Sequence, residues 1–154
     1  MKYLLALALV SLFAVTSAGQ DRAGKGDIRD RLAGAWRLVS LEQPGPDGKP
    51  QKVDCSGLLV YTREGRMSVQ VMERQPQAPA AAAAEQYSQG GYEASWGTYT
   101  IDERAGTFTF HVEGALVRTL IGKDLPRAYE ISGRQLIVRS ARPDEHWRVV
   151  WERD

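Results

Sequence analysis

The sequence predicts an all-β fold: an antiparallel up-and-down barrel of about eight strands behind an amino-terminal signal peptide. Three observations carry that expectation. Short apolar or alternating runs recur from Trp36 to Arg153, separated by turns containing Gly, Pro, Asp and Arg. No long helical pattern follows the leader, which argues against an α/β fold. The first strand opens on Gly34-Ala35-Trp36 and the last ends on Trp151-Glu152-Arg153. In a sheet that closes on itself, the first and last strands are neighbours.

The bulk numbers bound the reading. A chain of 154 residues fits one domain, and 43% hydrophobic with 25% charged residues is ordinary for a globular protein. Lys2 is the one charged side chain in the first 18 residues, and without that segment the formal charge is zero. A neutral balance gives no electrostatic reason to bind nucleic acid or an anionic membrane. Asparagine is absent, which excludes N-linked glycosylation. Cys55 is the lone cysteine, so no internal disulfide forms and the core alone must hold the fold. It reads as a small apolar strand-edge residue rather than a nucleophile.

Residues 1–18 read as a secretory signal. Lys2 supplies the positive start, and Leu4 to Val15 is an apolar run too short to span a bilayer comfortably. Thr16-Ser17-Ala18 offers small residues for cleavage, and no cysteine follows to carry a lipid. No stable membrane insertion is expected after cleavage. Residues 19–31 form a polar leader with a helical turn at Ile28 to Leu32, and 32–154 form the barrel domain.

The elements follow in order. Trp36 to Glu42 is the first strand, broken by Pro44-Gly45-Pro46-Asp47-Gly48. Gly57 to Tyr61 and Met67 to Val71 flank the turn Arg63-Glu64-Gly65-Arg66, the clearest hairpin. Residues 75–91, with prolines and an alanine run, read as a surface loop; a lid over a barrel mouth, with a short helix at Ala80 to Gln86, is the alternative. Tyr92 to Asp102 resumes strand, and Asp102 to Gly106 turns the chain. Thr107 to Glu113 alternates strictly, with Phe108, Phe110 and Val112 on one face and Thr109, His111 and Glu113 on the other. Gly114 to Pro126 is open between a short strand and a helical turn. Arg127 to Ser132, Gln135 to Ser140 and Glu145 to Arg153 complete the set.

These pieces resemble a known family, the bacterial and fungal lipocalin-like domain proteins. The resemblance rests on Leu32-Ala33-Gly34-Ala35-Trp36-Arg37-Leu38-Val39-Ser40 and on the run Gly57 to Val69. It continues through Gly97-Thr98-Tyr99-Thr100-Ile101-Asp102-Glu103, Arg127-Ala128-Tyr129-Glu130-Ile131 and Val150-Trp151-Glu152-Arg153. It implies a closed barrel whose cavity holds a small, largely apolar molecule. It also implies that the first-strand tryptophan, Trp36, packs beside an arginine, Arg153, at the closed end, where a guanidinium over an indole gives cation–π attraction. It carries little about activity.

Two groups of residues are candidates for the ligand site. Tyr61, Trp96, Tyr99 and Tyr129, with Trp151, are aromatics spread over several strands; they either line a cavity or pack the core. His111, Glu113 and Arg127 form a polar set. On one reading Arg127 and Glu113 pair inside the barrel, near His111, and orient a polar ligand end. On the other they form a strand-end salt bridge on the outer face. His111 and Glu113 alone do not make a metal site, which needs about three or four ligands, so no metal and no cofactor is assigned.

The leading functional expectation is an exported binding protein for a small hydrophobic ligand, without catalysis. An isomerase- or cyclase-type enzyme using the same cavity, or a solid barrel binding a protein partner through its loops, are the alternatives. Oligomeric state is not read from the sequence. Export has a direct check: amino-terminal sequencing of the mature protein should begin at Gly19, and intact Met1 recovered from the cytoplasm would remove the signal-peptide reading.

Overall fold

The computed structural model describes residues 27–76 and 87–153. The expected signal peptide and the expected helix at Ala80 to Gln86 lie outside those residues. A short helix, α1 (Ile28–Leu32), leads into nine strands: β1 (Gly34–Pro44), β2 (Pro50–Val53), β3 (Cys55–Tyr61), β4 (Arg66–Glu73), β5 (Tyr92–Asp102), β6 (Thr107–Ala115), β7 (Asp124–Ser132), β8 (Gln135–Ser140) and β9 (Arg148–Arg153).

Eight of them form the barrel. Neighbours run β1-β3-β4-β5-β6-β7-β8-β9, all antiparallel, and β9 returns to pair with β1. The seam runs from Trp36 opposite Arg153 to Glu42 opposite Arg148, with a register shift between Leu38 and Ser40. That irregularity turns the strand so that one element serves two neighbours. β1 pairs with β3 only at Gly34 to Arg37, and its far end pairs with β2. β2 was not expected: Pro50-Gln51-Lys52-Val53 is short and polar, with no alternation to announce it. The helical turn at Ile28 to Leu32 forms as expected, and the ambiguous stretch after Gly114 holds a 3-10 turn at Arg118–Leu120.

The connections divide the barrel into two ends. Turns at Arg63 to Gly65, Glu103 to Gly106 and Gly133 to Arg134 close one end, together with α1. Asp27 caps α1 by accepting the Arg29 N–H at 2.9 Å. Ile28 and Leu32 are buried with the core. The longer connections, β4–β5, β6–β7 and β8–β9, gather at the other, open end.

Alternation fills the closed half with aromatics. Tyr61, Tyr99 and Phe108 are each 2% exposed and meet edge to face, with ring centroids 5.0 to 6.4 Å apart. Trp36 closes this cluster below: its Nε1–H donates to the Leu32 carbonyl at 2.8 Å, and the Arg153 guanidinium lies 4.4 Å from its ring. Arg153 Nη2 also donates to the carbonyls of Arg31 and Ala33, stitching the last strand to the helix end. The expected Trp36–Arg153 pair is therefore present. Gly34 is needed here because the chain leaves the helix with φ +128°, a conformation that side chains rarely tolerate.

Trp36→Ala should destabilise the fold by about 3–5 kcal/mol, the range for truncating a large buried aromatic. Urea unfolding reads this directly; a loss below about 1 kcal/mol would detach Trp36 from barrel closure.

Candidate functional site

Strand alternation sorts the candidate residues. Tyr61, Tyr99, Arg127 and Tyr129 face the interior with the core. Trp96, His111 and Glu113 face out. Trp96 is 49% exposed and lies flat over Gly114, where any side chain would meet its indole. Arg66 covers it from 5.7 Å and pairs with Glu113 at 2.7 Å. His111 Nδ1 meets Asp124 at 2.6 Å, and Nε2 lies 3.2 Å from the Thr100 hydroxyl.

The expected interior trio of His111, Glu113 and Arg127 therefore does not assemble. The physical reason is the alternation of β6: Phe108, Phe110 and Val112 are buried, so the polar residues between them point outward. Arg127 sits on β7 opposite Phe108, three positions past the Asp124 that faces His111. The main chain fixes this geometry. A bulge beside Gly97 brings β6 so close that a side chain there would strike the His111 carbonyl.

Arg127 is 7% exposed, the one buried cation among the described residues. Its guanidinium stacks against Tyr87 at 5.3 Å and Trp147 at 4.8 Å, rings supplied by two different open-end connections. Glu145 lies 3.8 Å from Arg127 and 3.0 Å from Arg142. It also accepts from the Tyr87 hydroxyl at 2.8 Å and the Trp147 indole at 3.1 Å. Burial would raise the Glu145 carboxyl, but hydrogen bonds from Ser140, Tyr87 and Trp147 and the Arg127 charge outweigh it and hold it at about 2.

Below this capped cation lies a second polar set. Glu93 and Ser95 alternate inward on β5 above Gly97 and Tyr99. Burial pushes the Glu93 carboxyl up to about 7, against the pull of Arg127 and of the Ser95 hydroxyl. Ser95 Oγ lies toward that carboxyl without meeting hydrogen-bond geometry. Ser95 is 4% exposed and Tyr61 2%, and neither hydroxyl has a hydrogen-bond partner among the described residues. Burial also pushes the Tyr61 phenol up, with Arg127 close enough to oppose it. Tyr99 is different: its hydroxyl donates to the Thr62 carbonyl at the closed end, at 2.8 Å. Tyr129 packs on Phe108 with centroids 6.3 Å apart.

The arrangement is an apolar barrel with an aromatic floor, a polar middle and a cation held under two rings. A lipocalin-like domain family model matches residues 33–153. The chain belongs to this lipocalin-like family. No curated protein matches the chain. In this lipocalin-like protein, Arg127, Glu93, Ser95 and Tyr61 alternate onto the inner side of one closed wall.

Sequence reasoning missed Glu93, Ser95, Tyr87, Glu145 and Trp147. The first two were within reach: counting back in twos from Tyr99 puts positions 97, 95 and 93 inside. The other three sit outside strands or at their margins, where no period announces them.

The low Glu145 value has a stability consequence. A carboxyl depressed in the folded state stabilises above its unfolded value of 4.5, and that contribution is lost as pH falls through about 2. Glu145→Gln should flatten the acid limb of the stability profile in that window, by on the order of 1–2 kcal/mol after allowing for residual solvent screening. Urea midpoints for both proteins across the acid range measure it; parallel profiles would show that Glu145 is not held ionised by this network.

Proposed function

We propose that this lipocalin-like barrel is an exported protein that binds a small, largely apolar molecule, with the ligand's polar end in the middle of the barrel. The pattern of residues 1–18 supports export. One observation carries the binding reading: two hydroxyls, Tyr61 and Ser95, are buried inside the barrel with no hydrogen-bond partner among the described residues. An unsatisfied buried hydroxyl costs about 1–3 kcal/mol, so native folds rarely keep one without a use. Here both share the interior with Arg127 and Glu93, the few convergent polar groups that orient a ligand in an otherwise apolar site. A ligand head that completes those bonds recovers the cost on binding. Entry is from the open end, past Tyr87 and Trp147, which cover Arg127.

The test separates binding from packing. Tyr61→Phe and Ser95→Ala remove one unpartnered hydroxyl each. Each should weaken binding of 1-decanol, followed by titration calorimetry, by roughly 3- to 10-fold, while thermal stability holds or rises. Unchanged affinity with lowered stability would make the hydroxyls structural, and a wild-type barrel that does not take 1-decanol would end the binding reading.

A further inference from the structure

One outer face of the barrel departs from the polar exterior. Five of the seven large apolar side chains exposed among the described residues share it: Leu58, Met72, Tyr92, Trp96 and Leu116. Strand register brings them together. Leu58 on β3 lies opposite Gln70 on β4, which lies opposite Ala94 on β5. Leu116, just past β6, donates its N–H to the Ala94 carbonyl at 2.8 Å. Met72 pairs with Tyr92 on the open-end side of this row, and Ser68 pairs with Trp96 on the closed-end side. The five side chains therefore ring Gln70 and Ala94. A shallow groove of about 230 Å³ runs between Leu58, Gln70, Met72 and Tyr92. Knob and hollow lie within one patch.

Charge limits what can cover it. Within the ring the described residues are uncharged: Ser56, Ser68, Gln70 and Ala94. Charges stand at its two ends and are paired there, Arg66 with Glu113 at 2.7 Å and Arg74 with Asp54 at 2.9 Å. A strongly charged partner finds no answering charge on this face. A second copy of the chain needs none. A two-fold axis sets a patch against itself, so a charged patch repels its own copy and a neutral one does not. Without residues 1–18 the formal charge is zero, so two copies approach without long-range repulsion.

The area fits the same partner. Four strands about 4.8 Å apart, and the 8 residues of β4 at about 3.3 Å each, give a footprint of roughly 500 Å². That is at the low end of what a specific homodimer buries per partner, so the association is weak.

We infer that this outer face of β3, β4, β5 and the end of β6 is the interface of a two-fold homodimer, Met72 and Tyr92 of each copy packing around Gln70 and Ala94 of the other. Two twisted sheets packed face to face keep their strands within about 30° of each other, and the knobs of one then fill the hollow of the other. Gln70 sits nearest the axis and bonds across it to its own counterpart, since an amide both donates and accepts. The face lies on the other side of the wall from Tyr61 and Ser95, so this inference stands apart from the binding reading.

Sedimentation velocity of the purified protein, from about 1 to about 300 μM, should show a monomer–dimer equilibrium with a dissociation constant of roughly 10–100 μM. Gln70→Lys sets like charges across the axis and should weaken association by about tenfold or more, and Gln70→Glu should do the same. An equimolar mixture of the two variants should associate again, because opposite charges then face each other. That recovery excludes misfolding as the cause of the loss. Gln135→Lys, on β8 across the barrel from β4, should leave the equilibrium unchanged.

A protein that stays monomeric at the highest concentration overturns the proposal. So does a dimer indifferent to Gln70→Lys, a mixture that remains monomeric, or an equal loss from Gln135→Lys. Binding to phosphatidylcholine vesicles by a protein that stays monomeric would give the face to lipid and overturn the dimer as well.

Discussion

Pairing of β1 with β9 is the constraint on which the remaining structure rests. An open eight-stranded antiparallel sheet would expose two edges of unpaired backbone groups. Closure removes them and creates an inside. Every second residue on every strand then has to be apolar or find a partner there. The seam lies beside Trp36 and Arg153, so the cation–π contact and the bonds from Arg153 to the Arg31 and Ala33 carbonyls hold the last strand where the first begins. β1 reaches past the barrel to carry β2, and the register shift after Leu38 lets it do both.

Closure also sets a gradient of polarity. At the closed end α1 and the large rings fill the space, and the Tyr99 hydroxyl and the Trp36 indole bond to the Thr62 and Leu32 carbonyls. Toward the open end the rings thin out, and charge enters. Arg127 is the pivot. A guanidinium this buried persists only with compensation, and the compensation comes from loops: Tyr87 before β5, and Glu145 and Trp147 before β9. One strand residue thereby organises two connections that share no backbone pairing in the barrel.

The fold was legible in the sequence because it is written in period-two alternation and in turns. Phe108, Phe110 and Val112 announce an inner face, and the two tryptophan-bearing ends announce closure. β2 was not legible, since Pro50 to Val53 pairs through backbone alone and has no apolar face to encode. The polar trio failed on two physical points. Placing His111 and Glu113 inside asks the polar face of β6 to be the buried one. It also needs the β6–β7 register, which is set by the irregular connection through Arg118–Leu120 rather than by any strand pattern. Arg127, expected beside His111 and Glu113, instead lies among Tyr87, Glu145 and Trp147. Glu93 and Ser95 were readable by the same counting that placed Tyr99; their polarity hid them, because a search for a barrel core looks for apolar residues.

The interior polar groups make sense energetically only as a set. A barrel selected for stability alone would carry Phe at 61, Ala or Val at 95, and an aliphatic residue at 93, since apolar replacement of buried polar groups is often neutral or stabilising. Keeping the unpartnered Tyr61 and Ser95 hydroxyls lowers the stability of the barrel by about 1–3 kcal/mol each. The aromatic floor, the helix plug and the Trp36–Arg153 clamp supply the surplus that tolerates this. The two halves are thus coupled through stability rather than through contact. The closed half is closely packed around Trp36, Tyr99 and Phe108, and that packing lets the barrel tolerate polar groups such as Ser95 and Arg127 farther along the wall.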